Sequence, residues 1–174
     1  VVLTAFTRNC SRHSPDERGV TVSGARVIDA GDSAVVCEIE GTPLSTPGVD
    51  VEVNARAIAI AAAVRQRAIA GVRDVVPTFR SVTVFFDPLG TDVSAVTAAL
   101  HEDVTATPPV TSDKTIDVPV VYGGDDGPDL AEVAAFAHCS PDTVIARHAA
   151  RTYRVCMLGF LPGFAYMASV DKTI

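Results

Sequence analysis

Tyr122, Asp129 and His148 are the side chains of this sequence best suited to moving a proton. His148 falls late in a helical pattern. Imidazole changes charge closer to neutral pH than any other ordinary side chain, so it can act as a proton shuttle with Tyr122 or Asp129 orienting its ring. A purely structural role fits the same position, because a cationic histidine is favoured near a helix C-terminus. Between Tyr122 and Asp129 runs Gly123-Gly124-Asp125-Asp126-Gly127-Pro128. Asp125, Asp126 and Asp129 could offer carboxylate oxygens to Mg²⁺, and they equally suit a solvated acidic turn.

A second stretch, Gly159-Phe160-Leu161-Pro162-Gly163-Phe164-Ala165-Tyr166, carries no charge and mixes glycine, proline and aromatics. Gly159 and Gly163 permit backbone shapes closed to larger residues, Pro162 stiffens the turn, and Phe160, Phe164 and Tyr166 supply flat apolar walls. Such a run suits a small ligand or a partner subunit. It suits a barrel corner packed with aromatics just as well.

Other chemistries lack their residues. No GxxxxGK[ST] sequence occurs, and the glycine loop after Tyr122 is acidic where a phosphate cradle wants a lysine. Cysteines at 10, 37, 139 and 156 have no CxxC spacing, and His138 beside Cys139 lacks nearby co-ligands, so no zinc site is expected. Cys37 and Cys156 sit in apolar strand patterns as small buried hydrophobes, and reduced thiols in a cytoplasm are the expectation. Ser140 reads as a helix cap and not a nucleophile, with no GxSxG elbow around it; Ser33 and Ser81 are equally unremarkable.

The net charge of −7 with scattered Lys and Arg argues against nucleic acid as a partner. A chain of 174 residues, 48% hydrophobic and 20% charged, has the apolar content for one or two compact domains. Its longest apolar run, Ala57 to Val64, is far shorter than the roughly 20 residues a bilayer span needs. Residues 1–24 show no basic-then-apolar-then-small pattern and read as a flexible leader, not a secretory signal.

The elements that must position these groups follow from periodicity. Arg26 to Ser33 and Ala34 to Ile39 read as a hairpin around a Gly-Asp-Ser turn. Asn54 is placed to cap a helix from Ala55 to about Ala70, with Arg56, Arg65 and Arg67 facing solvent and Gly71 ending it. Strands follow at Val72–Pro77 and Phe79–Phe86, then a helix opened by Asp92-Val93-Ser94 and running to Leu100. This pattern predicts an α+β layer of ferredoxin-like type over 25–103, with 104–114 as a proline-containing linker. A second domain over 115–174 is expected to hold strands at Thr115–Tyr122 and Tyr153–Leu158. It should also hold a helix with Pro128 at its first position, ending near His138, and another from Ser140 through His148. Two strands and two short helices leave open sheet edges, so this domain is expected to be incomplete, with the missing strands in further sequence or in another subunit.

Taken together, Tyr122-Gly123-Gly124, Gly127-Pro128-Asp129-Leu130 with Glu132-Val133, Tyr153-Arg154-Val155 and Gly159-Phe160, Pro162-Gly163-Phe164 and Tyr166 resemble the allophanate hydrolase subunit 1 family, which includes the B-type subunit of 5-oxoprolinase and a sporulation kinase inhibitor. Gly31-Asp32-Ser33-Ala34 and Val75-Val76-Pro77 with Arg80-Ser81 extend the resemblance to about 25–171. It implies a ferredoxin-like N-terminal domain followed by a cyclophilin-like β-barrel, whose closing strands lie past the position of Ile174 in relatives. It also implies a cytoplasmic subunit of an ATP-dependent hydrolase that opens 5-oxoproline to glutamate or acts on allophanate; any Mg²⁺ accompanying the ATP would be drawn to carboxylates such as Asp125, Asp126 and Asp129. That subunit pairs with a homologous larger subunit, which is allophanate hydrolase subunit 2 or the C-type subunit of 5-oxoprolinase, and works with a third. On this resemblance Tyr122, Asp129 and His148 are the catalytic candidates, and Gly159, Phe160, Pro162, Gly163, Phe164 and Tyr166 the substrate-binding ones. Two alternatives stand beside this: a binding protein that inhibits a sensor histidine kinase, as the family also implies, and a structural subunit whose partner holds all the chemistry.

Overall fold

The computed structural model describes residues 20–22, 24–41, 49–106, 114–168 and 170–174. They group into two units, one drawn from 20–106 and 154–168, the other from 114–153 and 170–174. Most of the expected leader lies outside the described residues, but Val20–Val22 forms strand β1, paired antiparallel with β2 (Ala25–Asp29). The alternating Val-Thr-Val sequence suits such an edge strand, and the leader reading does not hold there.

In the first unit β2 pairs with β3 (Ala34–Ile39) as the hairpin expected. β3 then pairs with β5 (Ser81–Phe86), and β5 with β4 (Val72–Pro77), giving the antiparallel order β1-β2-β3-β5-β4. Alternation decides the core face: Val27, Cys37 and Val82 lie opposite one another across three strands and are buried, as are Val35 and Val84. Against them pack α1 (Val51–Gln66), through Ala57, Ile60, Ala61 and Val64, and α2 (Val93–Ala106), through Val96, Leu100 and Val104. Each fully buried aliphatic side chain contributes about 1.5–3 kcal/mol, so this one cluster carries the unit.

Four expectations change here. Helix α1 is capped by Asp50, whose Oδ1 accepts from the amides of Glu52 and Val53 at 3.1 Å each. Asn54 is a turn further in and fully buried, because it shares the apolar face of Ala57, Ile60, Ala61 and Val64. Arg65 and Arg67 are exposed as expected and Arg56 is half-buried, but all three also bond: Arg56 donates to the Val104 carbonyl, Arg65 to the Val75 carbonyl, and Arg67 binds Asp103. Phe79 sits in the turn between β4 and β5, closed by Thr78 N–H to Ser81 O at 2.8 Å, and not in the strand. Helix α2 continues past Leu100 to Ala106, since Val104 still reaches the core, and so runs into the stretch expected to be a linker; 107–113 lie outside the described residues.

The same unit holds a two-stranded antiparallel ribbon, β6 (Val155–Leu158) and β7 (Ala165–Met167). The strand expected at Tyr153–Leu158 is thus present, and part of the aromatic run forms its partner.

In the second unit a single 3₁₀ turn, Gly124–Asp126, precedes α3 (Leu130–Phe136) and α4 (Pro141–Ala149). Ser140 caps α4 as expected, its hydroxyl accepting from the Thr143 amide at 3.2 Å. Pro128 lies ahead of α3 and not at its first position. Thr115–Tyr122 is not a strand: it has alternating β-branched residues but no ladder partner among the described residues, and Ile116, Val118, Val120 and Val121 are exposed. No closed barrel is formed among the described residues.

Candidate functional site

Tyr122 and His148 are brought together although 26 positions apart, with the phenol oxygen 2.6 Å from His148 Nδ1 and the rings edge to face at 5.7 Å. Position and partner come from two local devices. Gly123 (φ +74°) and Gly124 (φ +59°) turn the chain immediately after Tyr122, conformations that favour glycine. Ser140 and Pro141 start α4, which then presents His148 in its last turn.

A third ring completes the arrangement. Tyr153 stacks at a tilt on His148 with centroids 5.1 Å apart, and its hydroxyl donates to the His148 carbonyl at 3.0 Å. Burial pushes the Tyr153 phenol above its ordinary range, against a smaller opposing effect of Arg151. Sequence reasoning misses Tyr153 as a site residue. The signal that could find it is a tyrosine five positions after a helical histidine, past the helix end.

This geometry can fix an imidazole. When Tyr122 donates to Nδ1, the histidine is the Nε2–H tautomer and offers that proton to a ligand oxygen or nitrogen; when Nδ1–H donates instead, Nε2 is a free base. Either way one ring nitrogen is engaged by the protein and the other is left for chemistry. Asp129 belongs to the same unit, half-buried at the start of α3, where its side chain makes no capping hydrogen bond. Asp125 and Asp126 are exposed on the 3₁₀ turn. Among the described residues no group of three His, Cys, Asp or Glu side chains converges as a metal centre.

The aromatic candidates assemble in the other unit. Gly159 N–H to Phe164 O at 3.1 Å, Leu161 N–H to Gly159 O at 2.8 Å and Phe164 N–H to Leu161 O at 3.0 Å build the loop. Pro162 and Gly163 (φ +80°) occupy the two central positions that a type II turn assigns to them. Phe160 is held at φ +63°, a conformation unusual for a bulky residue, with its side chain thrown outward at 83% exposure. Its ring meets Phe164 (6.0 Å), Phe164 meets Tyr166 (5.1 Å), and Tyr166 meets Phe79 edge-on (6.2 Å). Phe79 joins the group because it lies in a turn; as a strand residue it would give no sign of doing so.

Leu158, Leu161, Phe164 and Met167 are exposed as well, so the hairpin presents an apolar ledge and not an enclosed cavity. Such a ledge suits a broad partner surface or one wall of a shared site.

Known proteins resemble this chain in both sequence and fold. Residues 25–174 match the family model described as carboxyltransferase domain, subdomain C and D. Two curated relatives, each named as the B-type subunit of 5-oxoprolinase, align with the chain. The one from Bacillus subtilis (strain 168) is 34% identical over 72% of this chain and 58% of its own length, and the one from Escherichia coli O157:H7 is 33% identical over 86% and 66%. The chain therefore spans about six tenths of the curated relatives it matches. The crystal structure of TTHA0988 superposes with a TM-score of 0.62 at 29% identity, covering 81% of this chain and 25% of that one. No described helix is long and apolar enough to cross a membrane.

Proposed function

This chain belongs to the carboxyltransferase domain family, subdomain C and D, and from that premise we propose that it serves as the B-type subunit of a 5-oxoprolinase. Such an enzyme opens the lactam of 5-oxoproline to glutamate at the expense of ATP in the cytoplasm. The agreement with two relatives that carry this name supports the reading. In the same reading the five-stranded sheet with α1 and α2 is the ferredoxin-like layer, and 115–174 contribute to a cyclophilin-like barrel.

Hydrolytic opening of the lactam, with its oxygen activated at the expense of ATP, forms a C–O bond from attacking water at the carbonyl carbon and breaks the C–N bond, with a proton delivered to the ring nitrogen as it leaves. The paired Tyr122 and His148 supply that proton, with Tyr122 fixing the imidazole and the opposite ring nitrogen facing the substrate. Asp129 orients the loop or its ligand. Taken by themselves in the other unit, Phe160, Phe164 and Tyr166, with Gly159, Pro162 and Gly163 shaping their turn, are the proposed substrate-binding group, and their ledge faces the homologous larger subunit.

The turn after Tyr122 carries Asp125 and Asp126, while Arg147 donates to the Thr173 carbonyl (3.0 Å) and Arg151 pairs with Asp171 (3.1 Å). In this reading the assembled complex uses ATP with Mg²⁺.

Co-expression with the homologous larger subunit and the third subunit tests the proposal, through co-purification and turnover of 5-oxoproline with ATP, with allophanate and urea as competing substrates. A stable complex that turns over 5-oxoproline is expected. If this chain neither co-purifies nor is needed for turnover, the proposed role fails. If His148→Ala and Tyr166→Phe complexes both keep full activity, the residue roles fail.

A further inference from the structure

Cys156 is an extra residue in its strand. Along β6 the pairing advances from Val155 to Met157, while β7 moves only from Met167 to Tyr166. A bulged residue falls out of the ladder, so its backbone groups need partners elsewhere. The partner for the Cys156 carbonyl is Asn54 of α1, whose Nδ2 donates to it at 2.9 Å from 102 positions away. The other hydrogen of the same amide goes to the Thr78 carbonyl at 3.0 Å.

Asn54 is 0% exposed, and its Oδ1 is buried without a hydrogen-bond partner among the described residues. Both acceptors are carbonyls, so the amide cannot be turned around to relieve that oxygen. A leucine would fill the space with no orphan acceptor. What only the amide provides is a pair of donors joining two otherwise separate pieces of backbone.

Those two pieces carry the aromatic ledge. Thr78 precedes Phe79, and Cys156 precedes the strand and turn that present Phe160, Phe164 and Tyr166; Phe79 and Tyr166 then meet edge-on. We infer that Asn54 is a positioning residue, whose amide pins the β6 bulge to the β4–β5 turn and thereby fixes which side chains the β6–β7 hairpin displays. A bulge slipped by one residue would send alternate side chains to the opposite face, exchanging Cys156, which is buried, for exposed Val155 or half-buried Met157. The link from this display to partner and substrate recognition rests on the function proposed above; the pin itself does not.

Nuclear magnetic resonance on the isotopically labelled full chain tests the pin without any substitution. Scalar couplings across the hydrogen bonds should connect Asn54 Nδ2 to the carbonyl carbons of both Cys156 and Thr78, and their absence would overturn the assignment. In Asn54→Leu, which keeps the volume, and Asn54→Ser, a smaller change, exchange of the Gly159 and Ala168 amides should rise about tenfold or more relative to the Val35 and Val84 amides. The Tyr166 ring resonances should lose the shifts imposed by Phe79 and Phe164. Exchange rising equally across β2–β5, or unaltered Tyr166 resonances, would reduce Asn54 to a general packing residue and overturn the inference. Loss of affinity for the larger subunit in variants that keep their core exchange would link the pin to recognition. If wild-type chain fails to bind that larger subunit while the couplings are present, the functional reading falls and the pin stands.

Discussion

Arg67 grips Asp103 with two prongs, Nη2 to Oδ1 at 2.7 Å and Nε to Oδ2 at 3.1 Å, joining the end of α1 to the last turns of α2. Glu102 adds a contact to Nη1 at 2.9 Å. These bonds, Asp103 first, hold the guanidinium proton more firmly than usual. The partners differ in exposure: the Asp103 side chain is 8% exposed and that of Arg67 37%. Removing the arginine strands a buried carboxylate, whereas removing the aspartate leaves a cation that water and Glu102 can still reach. Arg67→Ala is therefore expected to cost about 2–3 kcal/mol and Asp103→Ala about 1 kcal/mol less, by urea denaturation. The opposite order would refute the burial argument.

Cys37 gives the fold an alkaline limit. Burial pushes its thiol from the ordinary 9.0 up to about 11, with Arg56 opposing weakly. Between those values the unfolded chain has released the proton and the folded chain retains it. The contribution of Cys37 to stability is then constant below about pH 9 and is lost as pH rises through about 11, by an amount on the order of 2 kcal/mol. Cys37→Ala should flatten this slope without abolishing it, because burial also raises Cys156 and Tyr153. An unchanged slope in the variant would place the alkaline sensitivity elsewhere.

Gly71 cannot carry a side chain. Its φ of +79° favours glycine, and a Cβ there would collide with Thr91 Oγ1 and come within 3.2 Å of the Gly90 backbone. Gly71→Ala should destabilise the chain by about 2 kcal/mol or more, combining backbone strain with displacement of the Gly90–Thr91 turn. A thermal midpoint equal to wild type would show that the turn yields freely.

Local patterns make most of the first unit readable. The β2–β3 hairpin, β4, β5 and both helices follow from alternation and from helical spacing, because each element's own apolar face decides its form. Three outcomes depend on distant partners and are not local. Asn54 resembles a cap in sequence, yet Asp50 four residues earlier takes that role, and the amide serves Thr78 and Cys156 instead. Thr115–Tyr122 has the composition of a strand, but a strand exists only with a neighbour to bond. At the candidate site, the residue types of Tyr122 and His148 are legible, while their 2.6 Å contact requires the chain to fold through the glycine turn and α4.

Tyr122→Phe isolates the hydroxyl. The ring contact with His148 is kept and one hydrogen bond is lost, so stability should fall by about 1 kcal/mol. In the reconstituted complex, turnover of 5-oxoproline should fall about tenfold in Tyr122→Phe and on the order of a hundredfold in His148→Ala, since the first loosens the imidazole and the second removes it. A Tyr122→Phe defect larger than that of His148→Ala would make the phenol itself the proton-transferring group.

Phe160 separates recognition from folding. Its backbone sits at φ +63° and its side chain is 83% exposed, so the fold gains little from the ring and bears the strain of placing it. Glycine relieves the left-handed conformation by about 1 kcal/mol, and the added freedom of the unfolded chain offsets about as much. Phe160→Gly should therefore leave the denaturation midpoint within about 0.5 kcal/mol of wild type. An exposed aromatic at a hydrogen-bonded turn is preorganised as an anchor, and truncating such an anchor at the centre of an interface costs roughly 2 kcal/mol or more of binding. Affinity for the homologous larger subunit, measured by calorimetry or by retention on the immobilised partner, should thus drop about thirtyfold while stability is unchanged. Equal affinity in the variant would remove the ledge from the interface, and a loss of stability comparable to the loss of binding would mean that the ring belongs to the fold.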